Sequence, residues 1–274
     1  MALRLPFLFV LLWNCPLTAQ YSIFYSFVTS EARGTGKTGI CSFLSESSVL
    51  NPAGIAKIKQ ASIALESHNY YLVKGLYSSF LSYQKPFKNS GIFGCIGSDG
   101  SAEFNDFFTA FAYSRALSQK SHIGMTVNYI HSKRSFSEET NHLAFSLGFQ
   151  SNLLTNVQVG LVFQNPIQLD QEFQHFNNSI YKIGLCYQLS NFTEINIECH
   201  LNNFKTESVH IGFRYAIYKQ LEALSGFQTN PVEYGFGLIA TINKKCKITS
   251  SFENHLLLGW SPSFAIKWIL ESKS

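Results

Sequence analysis

A lysine set in a glycine turn is the first group in this sequence that suggests chemistry. Gly34-Thr35-Gly36-Lys37-Thr38 ends like a loop that cradles phosphates with backbone N–H groups and a lysine. The complete pattern requires a glycine five positions before Gly36, and Glu31 stands there. No strand precedes the stretch and no helix follows it, so it reads as a flexible glycine turn. His122, His131, His142, His200, His210 and His255 raise the question of a metal, yet none belongs to a pair with the spacing of His-Glu-x-x-His. Serines are plentiful, but there is no Gly-x-Ser-x-Gly elbow to expose one as a nucleophile. The reading is therefore not an enzyme, with no metal and no cofactor assigned. Lys182, Glu194, Glu198, His200, His210, Arg214 and Glu233 share a different property, which is that each falls on the polar side of an alternating segment.

Those segments are the elements that must position the charges. Ile123, Met125, Val127 and Tyr129 alternate with Gly124, Thr126 and Asn128, and Leu143, Phe145, Leu147 and Phe149 alternate with Ala144, Ser146, Gly148 and Gln150. Tyr181, Ile183, Leu185 and Tyr187 oppose Lys182, Gly184, Cys186 and Gln188. Val209, Ile211, Phe213 and Tyr215 oppose Ser208, His210, Gly212 and Arg214. Successive side chains of a strand face opposite sides, so each segment has one oily face and one small or polar face. About fourteen such strands are expected between residues 60 and 270, an even number that closes an antiparallel barrel without an edge. The stretches 73–84, 90–98, 219–228 and 244–253 are the least regular. His200 and His210 are placed on neighbouring strands, facing the same interior as Glu198.

Composition separates two all-β architectures. Charged residues make up 14% of the chain and aromatic residues 15%, whereas ~25% charge is ordinary for globular domains. No apolar run after the N-terminus reaches the ~18 residues of a helical span. Glycines recur on the polar faces, where an enclosed lumen is short of space, and aromatics recur near strand ends, as in interfacial girdles. These features favour an antiparallel transmembrane β-barrel over a soluble secreted β-sandwich or adhesin-like module, the alternative that alternation by itself leaves open. A formal charge of +4, spread without basic runs, argues against nucleic acid. Cys41, Cys95, Cys186, Cys199 and Cys246 form neither a disulfide framework nor a zinc pattern.

The N-terminal part reads differently. Arg4, the apolar stretch 5–13 and the small residue Ala19 have the layout of a cleavable secretory signal over 1–19. Residues 20–57 are too polar for lipid and are expected to plug or line the lumen of a barrel built from 58–270. Within them, Ala32-Arg33, the glycine-rich turn through Gly34, Gly36 and Gly39, and Asn51-Pro52-Ala53-Gly54 stand directly before the first strand. Pro52 fixes φ and lacks a donor, and Gly54 is expected to supply a backbone shape that other residues resist.

This arrangement over 32–56 resembles the N-terminal signature of FadL-type outer-membrane proteins, in particular their PorV/PorQ branch. The resemblance implies a fourteen-stranded barrel in a Gram-negative outer membrane, with the N-terminal segment inside it and lipid around it. It also implies an accessory role in type IX secretion or cell-surface attachment, with secretion components or an exported cargo protein as partners. The FadL-like alternative is a transporter of hydrophobic small molecules across the outer membrane, for which the partner is a hydrophobic ligand.

Overall fold

The expected alternation becomes a continuous ring of strands. A computed structural model describes residues 28–43, 49–135, 139–165, 179–202 and 205–270. The signal expected over 1–19, the serines at 45–48, most of the long connection at 165–178 and the polar tail 271–274 lie outside the described residues. The strands are β1 (Ser62–Asn69), β2 (Tyr77–Pro86), β3 (Ser90–Gly100), β4 (Phe104–Ala116), β5 (Ser121–Arg134), β6 (Thr140–Asn152) and β7 (Val157–Gln164). They continue as β8 (Ile180–Ser190), β9 (Thr193–Asn202), β10 (Lys205–Tyr218), β11 (Leu221–Thr229), β12 (Val232–Asn243), β13 (Cys246–His255) and β14 (Gly259–Ile269). Each pairs antiparallel with its sequence neighbour, and β1 closes on β14 from Ser62↔Ile269 to His68↔Ser263.

The two faces of this ring decide between the architectures. Leu65, Leu81, Phe111, Met125, Leu185, Ile197, Phe213 and Phe236 are exposed on the outside, while Glu66, Gln150, Gln158, Glu194, Glu198, Arg214 and Glu253 are buried inside. A soluble sandwich would turn its oily faces toward each other across a dry core. Here they turn away from the interior, the described residues form one closed sheet, and the soluble β-sandwich reading is overturned. A closed antiparallel ring with an apolar exterior and a polar interior has the architecture of an outer-membrane barrel.

The largest differences in strand boundary from the sequence reading have local reasons. The second strand begins at Tyr77 rather than 73, because Tyr71 and Leu72 adopt left-handed backbone (φ 54 and 58) and turn the chain. The last strand begins at Gly259 rather than 262, and Pro262 lies within it opposite Phe252. Proline is disfavoured inside strands, which is why it reads as a boundary.

The two ends of the barrel are unequal. At the end that carries Ser62 and Ile269, the hairpins turn over 87–89, 117–120, 153–156, 191–192, 219–220 and 244–245. The opposite end carries longer connections, at 70–76 and 165–179. There Tyr71 N–H donates to Ser261 Oγ at 2.8 Å, and Tyr70 packs edge-on against His68 with centroids 4.4 Å apart. The 70–76 hairpin therefore leans over the far mouth.

Residues 28–43 and 49–58 run through the interior. They hold one short helix, α1 (Ser30–Gly34), capped where Thr29 Oγ accepts from Ala32 N at 3.2 Å. They also hold a 3-10 turn, Pro52–Lys57, capped where the Asn51 side chain accepts from Ala53 N at 3.0 Å. Pro52 occupies the first position of that turn, where its missing N–H costs nothing. Gly54 lies within the same turn, and the left-handed glycines of the segment are instead Gly36 (φ 67) and Gly39 (φ 140). The special backbone anticipated at Gly54 thus belongs to the earlier glycine turn.

Candidate functional site

The interior contact between this segment and the wall is where the polar residues converge. It has two components, a set of glycine rows that accept backbone and a set of buried charges that hold it.

The rows arise from register. Gly124 pairs with Gly148, Gly160 with Gly184, and Gly212 with Gly226, which pairs in turn with Gly235. Each row lies under a different part of the internal segment. A Cβ at Gly124 would lie 2.5 Å from the Pro52 carbonyl, and one at Gly160 would lie 2.5 Å from that of Ile40. Cβ atoms on the third row would run into the backbone of Thr35, Gly36 and Arg33. Bare backbone on the wall is what lets the inner segment lie this close.

The charges then fix its position. Arg33 donates to Glu253 Oε2 at 2.6 Å, and Lys37 reaches Glu253 Oε1 at 3.4 Å and also pairs with Glu233. Burial works against the Lys37 ammonium, but the carboxylates of Glu253 and Glu233 outweigh it and hold the group above the usual lysine range. Arg33 also lies over the Tyr70 ring, 5.8 Å from its centroid. Glu198 Oε1 accepts from Gly39 N (2.5 Å) and Ile40 N (2.9 Å), and Glu194 accepts from Ser42 Oγ and Phe43 N, both at 2.7 Å. Arg214 pairs with Glu31 and donates to Glu222 at 2.6 Å, and Ser30 N–H donates to Glu66 at 2.6 Å.

Asn51 ties two parts of the segment to two strands. Its Nδ2 lies 2.8 Å from Ile40 O, 3.2 Å from Phe149 O and 3.4 Å from Leu161 O, while its Oδ1 caps the 3-10 turn. Asn51→Asp keeps the shape and replaces the donor with an acceptor facing three carbonyls. Leaving such groups unpaired costs ~1–3 kcal/mol each and more beside a charge. The expected result is a lower urea midpoint for the lipid-embedded barrel, with the Asn51→Ser variant less affected.

Lys182, Glu194, Glu198, His200, His210, Arg214 and Glu233 are all buried inside the ring, though not as a single cluster, whereas His131 lies on the outer face opposite Phe107. Lys182, Glu198, His200 and His210 stand together on β8, β9 and β10, with the two imidazole centroids 3.9 Å apart. His210 Nδ1 lies 2.7 Å from Gly36 O, and His200 Nε2 lies 3.3 Å from Glu198 Oε2. Glu233 belongs to the Arg33–Lys37 cluster, whereas Glu194 and Arg214 act separately. Gly34 faces Leu224, and Ala53 is buried with its carbonyl accepting from Ser114 Oγ at 3.1 Å. Sequence reasoning gave no role to Glu253, Glu66 or Glu31, and it placed Gln150 on a polar face without assigning it a contact. Glu253 alternates with the outward Phe252 and was legible in principle, but it falls in one of the least regular stretches.

Between this segment and the wall lies a cavity with two unlike sides. Phe93, Cys95 and Ala110 supply an apolar side, while Asn128, Gln164, Lys182 and His200 supply a polar one. No family model matches the chain, and no curated protein matches it in sequence. Solved structures do match its coordinates. The toluene transporter TbuX of Ralstonia pickettii superposes with a TM-score of 0.71 at 9% identity, covering 89% of this chain and 98% of that one. The CymD monoaromatic hydrocarbon channel gives 0.69 at 9% identity over 90% and 98%, and the toluene transporter TodX of P. putida gives 0.68 at 9% over 89% and 99%. The likeness is one of fold. It spans about nine-tenths of this chain and nearly all of each of the others, so it is not the likeness of a shared hairpin.

Proposed function

We propose that this chain is a non-enzymatic outer-membrane barrel that takes up a hydrophobic small molecule past its own N-terminal plug. In this reading residues 1–19 direct export, 20–57 form the plug and 58–270 form the wall. The short turns face the periplasm and the longer connections face outward, following the usual asymmetry of such barrels. Arg33, Gly34, Gly36, Gly39 and Asn51 to Gly54 seat the plug, and the lumen charges hold it. The observation that carries the reading is the half-apolar cavity between plug and wall. The fold shared with transporters of toluene and monoaromatic hydrocarbons supports it.

Entry of labelled toluene into cells with and without the gene tests this directly. Faster entry with the barrel present is expected, and equal rates would reject transport. The membrane placement has its own test. Leu185 is exposed at the middle of β8, and Leu185→Arg should cost ~2–4 kcal/mol in a bilayer, the penalty for arginine at mid-depth. A neutral effect on the urea midpoint would argue against lipid at that face.

A second reading is the accessory role in type IX secretion, with a secretion component or cargo as partner. The stretch 32–56, with its Asn51-Pro52-Ala53-Gly54 element, favours it through its resemblance to the PorV/PorQ branch. Deleting the gene and comparing exported proteins tests it, and an unchanged secreted set would count against it.

A further inference from the structure

Basic residues that lie scattered along the sequence are gathered by the topology at one end of the barrel. At the end that carries Ser62 and Ile269, the hairpin turns hold Lys88, Lys120, Lys219, Lys244 and Lys245, all exposed, and no aspartate or glutamate. The opposite end is mixed, with Glu103, Glu139 and Glu207 beside Lys74, Lys133 and Lys205. Positive charges collected without acids between them repel one another, and anions drawn to that end relieve the repulsion.

Two strands show the depth at which this charge stands. On β2 the outward Tyr83 is followed on the same face by Lys85, and on β4 the outward Tyr113 is followed by Arg115. In each case the cation is one step nearer the turns. Interfacial aromatics mark the boundary between acyl chains and headgroups, so the cations beyond them stand at headgroup level. The turns themselves pair an exposed ring with a charge, since Phe87 precedes Lys88 and Tyr218 precedes Lys219. A soluble acidic partner would leave such rings in water, whereas a lipid surface accepts ring and ammonium together.

From this arrangement we propose that the rim at this end binds anionic phospholipids of the phosphatidylglycerol type, their phosphodiester groups paired with the turn lysines. Such contacts are charge-assisted hydrogen bonds. The inference rests on the membrane placement given above and is independent of what the barrel carries.

Trp268 is a reporter built into the rim. It is exposed on β14 opposite Cys246, directly after Lys244 and Lys245, and the next residue, Ile269, donates its N–H to Lys245 O at 2.7 Å. With Trp13→Phe and Trp260→Phe it is the one tryptophan left in the chain. This full-length barrel is reconstituted into vesicles of phosphatidylcholine and phosphatidylglycerol at equal mole fraction, with bromine on the acyl chains of one lipid or the other. Bromine quenches a tryptophan it touches, so the two experiments give the relative occupancy beside Trp268. A preference for phosphatidylglycerol of about fivefold is expected, the factor that one lysine contributes at a charged membrane surface. Lys244→Gln with Lys245→Gln should remove most of it, and the corresponding Glu pair should reverse it. Lys74→Glu, at the opposite end, should leave it unchanged. If the Glu pair fails to assemble, the Gln pair decides. Equal quenching by the two lipids in the parent barrel, or a preference that survives in the Gln pair, would overturn the proposal and leave the membrane placement standing. Quenching by neither lipid would sink the membrane placement and this inference with it.

Discussion

Gly226→Val is expected to eliminate the folded, plugged barrel. The new side chain would project from the middle of the Gly212–Gly226–Gly235 row into the backbone of Thr35 and Gly36. Overpacking a core with side chains around it costs ~1–3 kcal/mol, because those neighbours can change rotamer. Here the opposing atoms are main chain on both sides. Gly226 is held by the ladders of β10 and β12, and Gly36 is held in left-handed backbone with its carbonyl against His210. Relief requires expelling the turn from the lumen, and with it Arg33 and Lys37. Both residues are trypsin sites that the wild-type wall should protect. The measurement is therefore twofold: loss of the heat-modifiable band on a gel, and tryptic cleavage after Arg33 or Lys37 in whatever protein remains membrane-inserted. Gly94→Ala is the control, since the nearest atom to its added Cβ is Ala110 O at 3.8 Å. Equal behaviour of the two variants would refute the glycine rows as seats.

The second large effect is expected at Glu253. This carboxylate binds Arg33 at 2.6 Å and Lys37 at 3.4 Å, and His68 Nε2 stands 3.9 Å away. In Glu253→Gln, Lys37 keeps Glu233 while Arg33, itself buried, loses the carboxylate it donates to. Removing one partner from a buried pair costs ~3–5 kcal/mol, because the surviving charge has already lost its hydration. The urea midpoint of the refolded barrel in lipid should fall accordingly. Combining Glu253→Gln with Arg33→Met should recover part of the loss, and that non-additivity isolates the pair itself. The exposed pair Lys133–Glu139, at 3.6 Å, gives the contrast. Such a surface pair is worth ~0–1 kcal/mol, so Glu139→Gln should be nearly silent. If the two glutamates behave alike, the interior is wetter than its burial implies.

These two sites also mark the boundary of what local pattern encodes. Alternation with a period of two states which side of each strand is oily, because neighbouring side chains of an extended chain must point opposite ways. That rule is obeyed residue by residue, so the number of strands, their approximate limits and the inward placement of Lys182, Glu194, Glu198 and Arg214 could all be read directly. Glycines on the polar faces could be read too, as a sign of limited room. Their assembly into rows could not. Gly212, Gly226 and Gly235 meet only because the register of two hairpins aligns them, and register is a property of paired strands rather than of any one of them.

The same holds for the charges. Arg33 and Glu253 lie 220 positions apart, and nothing near either residue names the other. Their meeting depends on how far the N-terminal segment climbs through the lumen before the chain returns to enter the wall. Gly54 illustrates the converse error, where a motif was legible but its physical role lay elsewhere, in the left-handed turn at Gly36. Facing is a local consequence of backbone geometry and is written into every strand. Partnership across the lumen is set when the ring closes around its own N-terminal segment, because closure brings all fourteen inner faces within reach of one short stretch of chain.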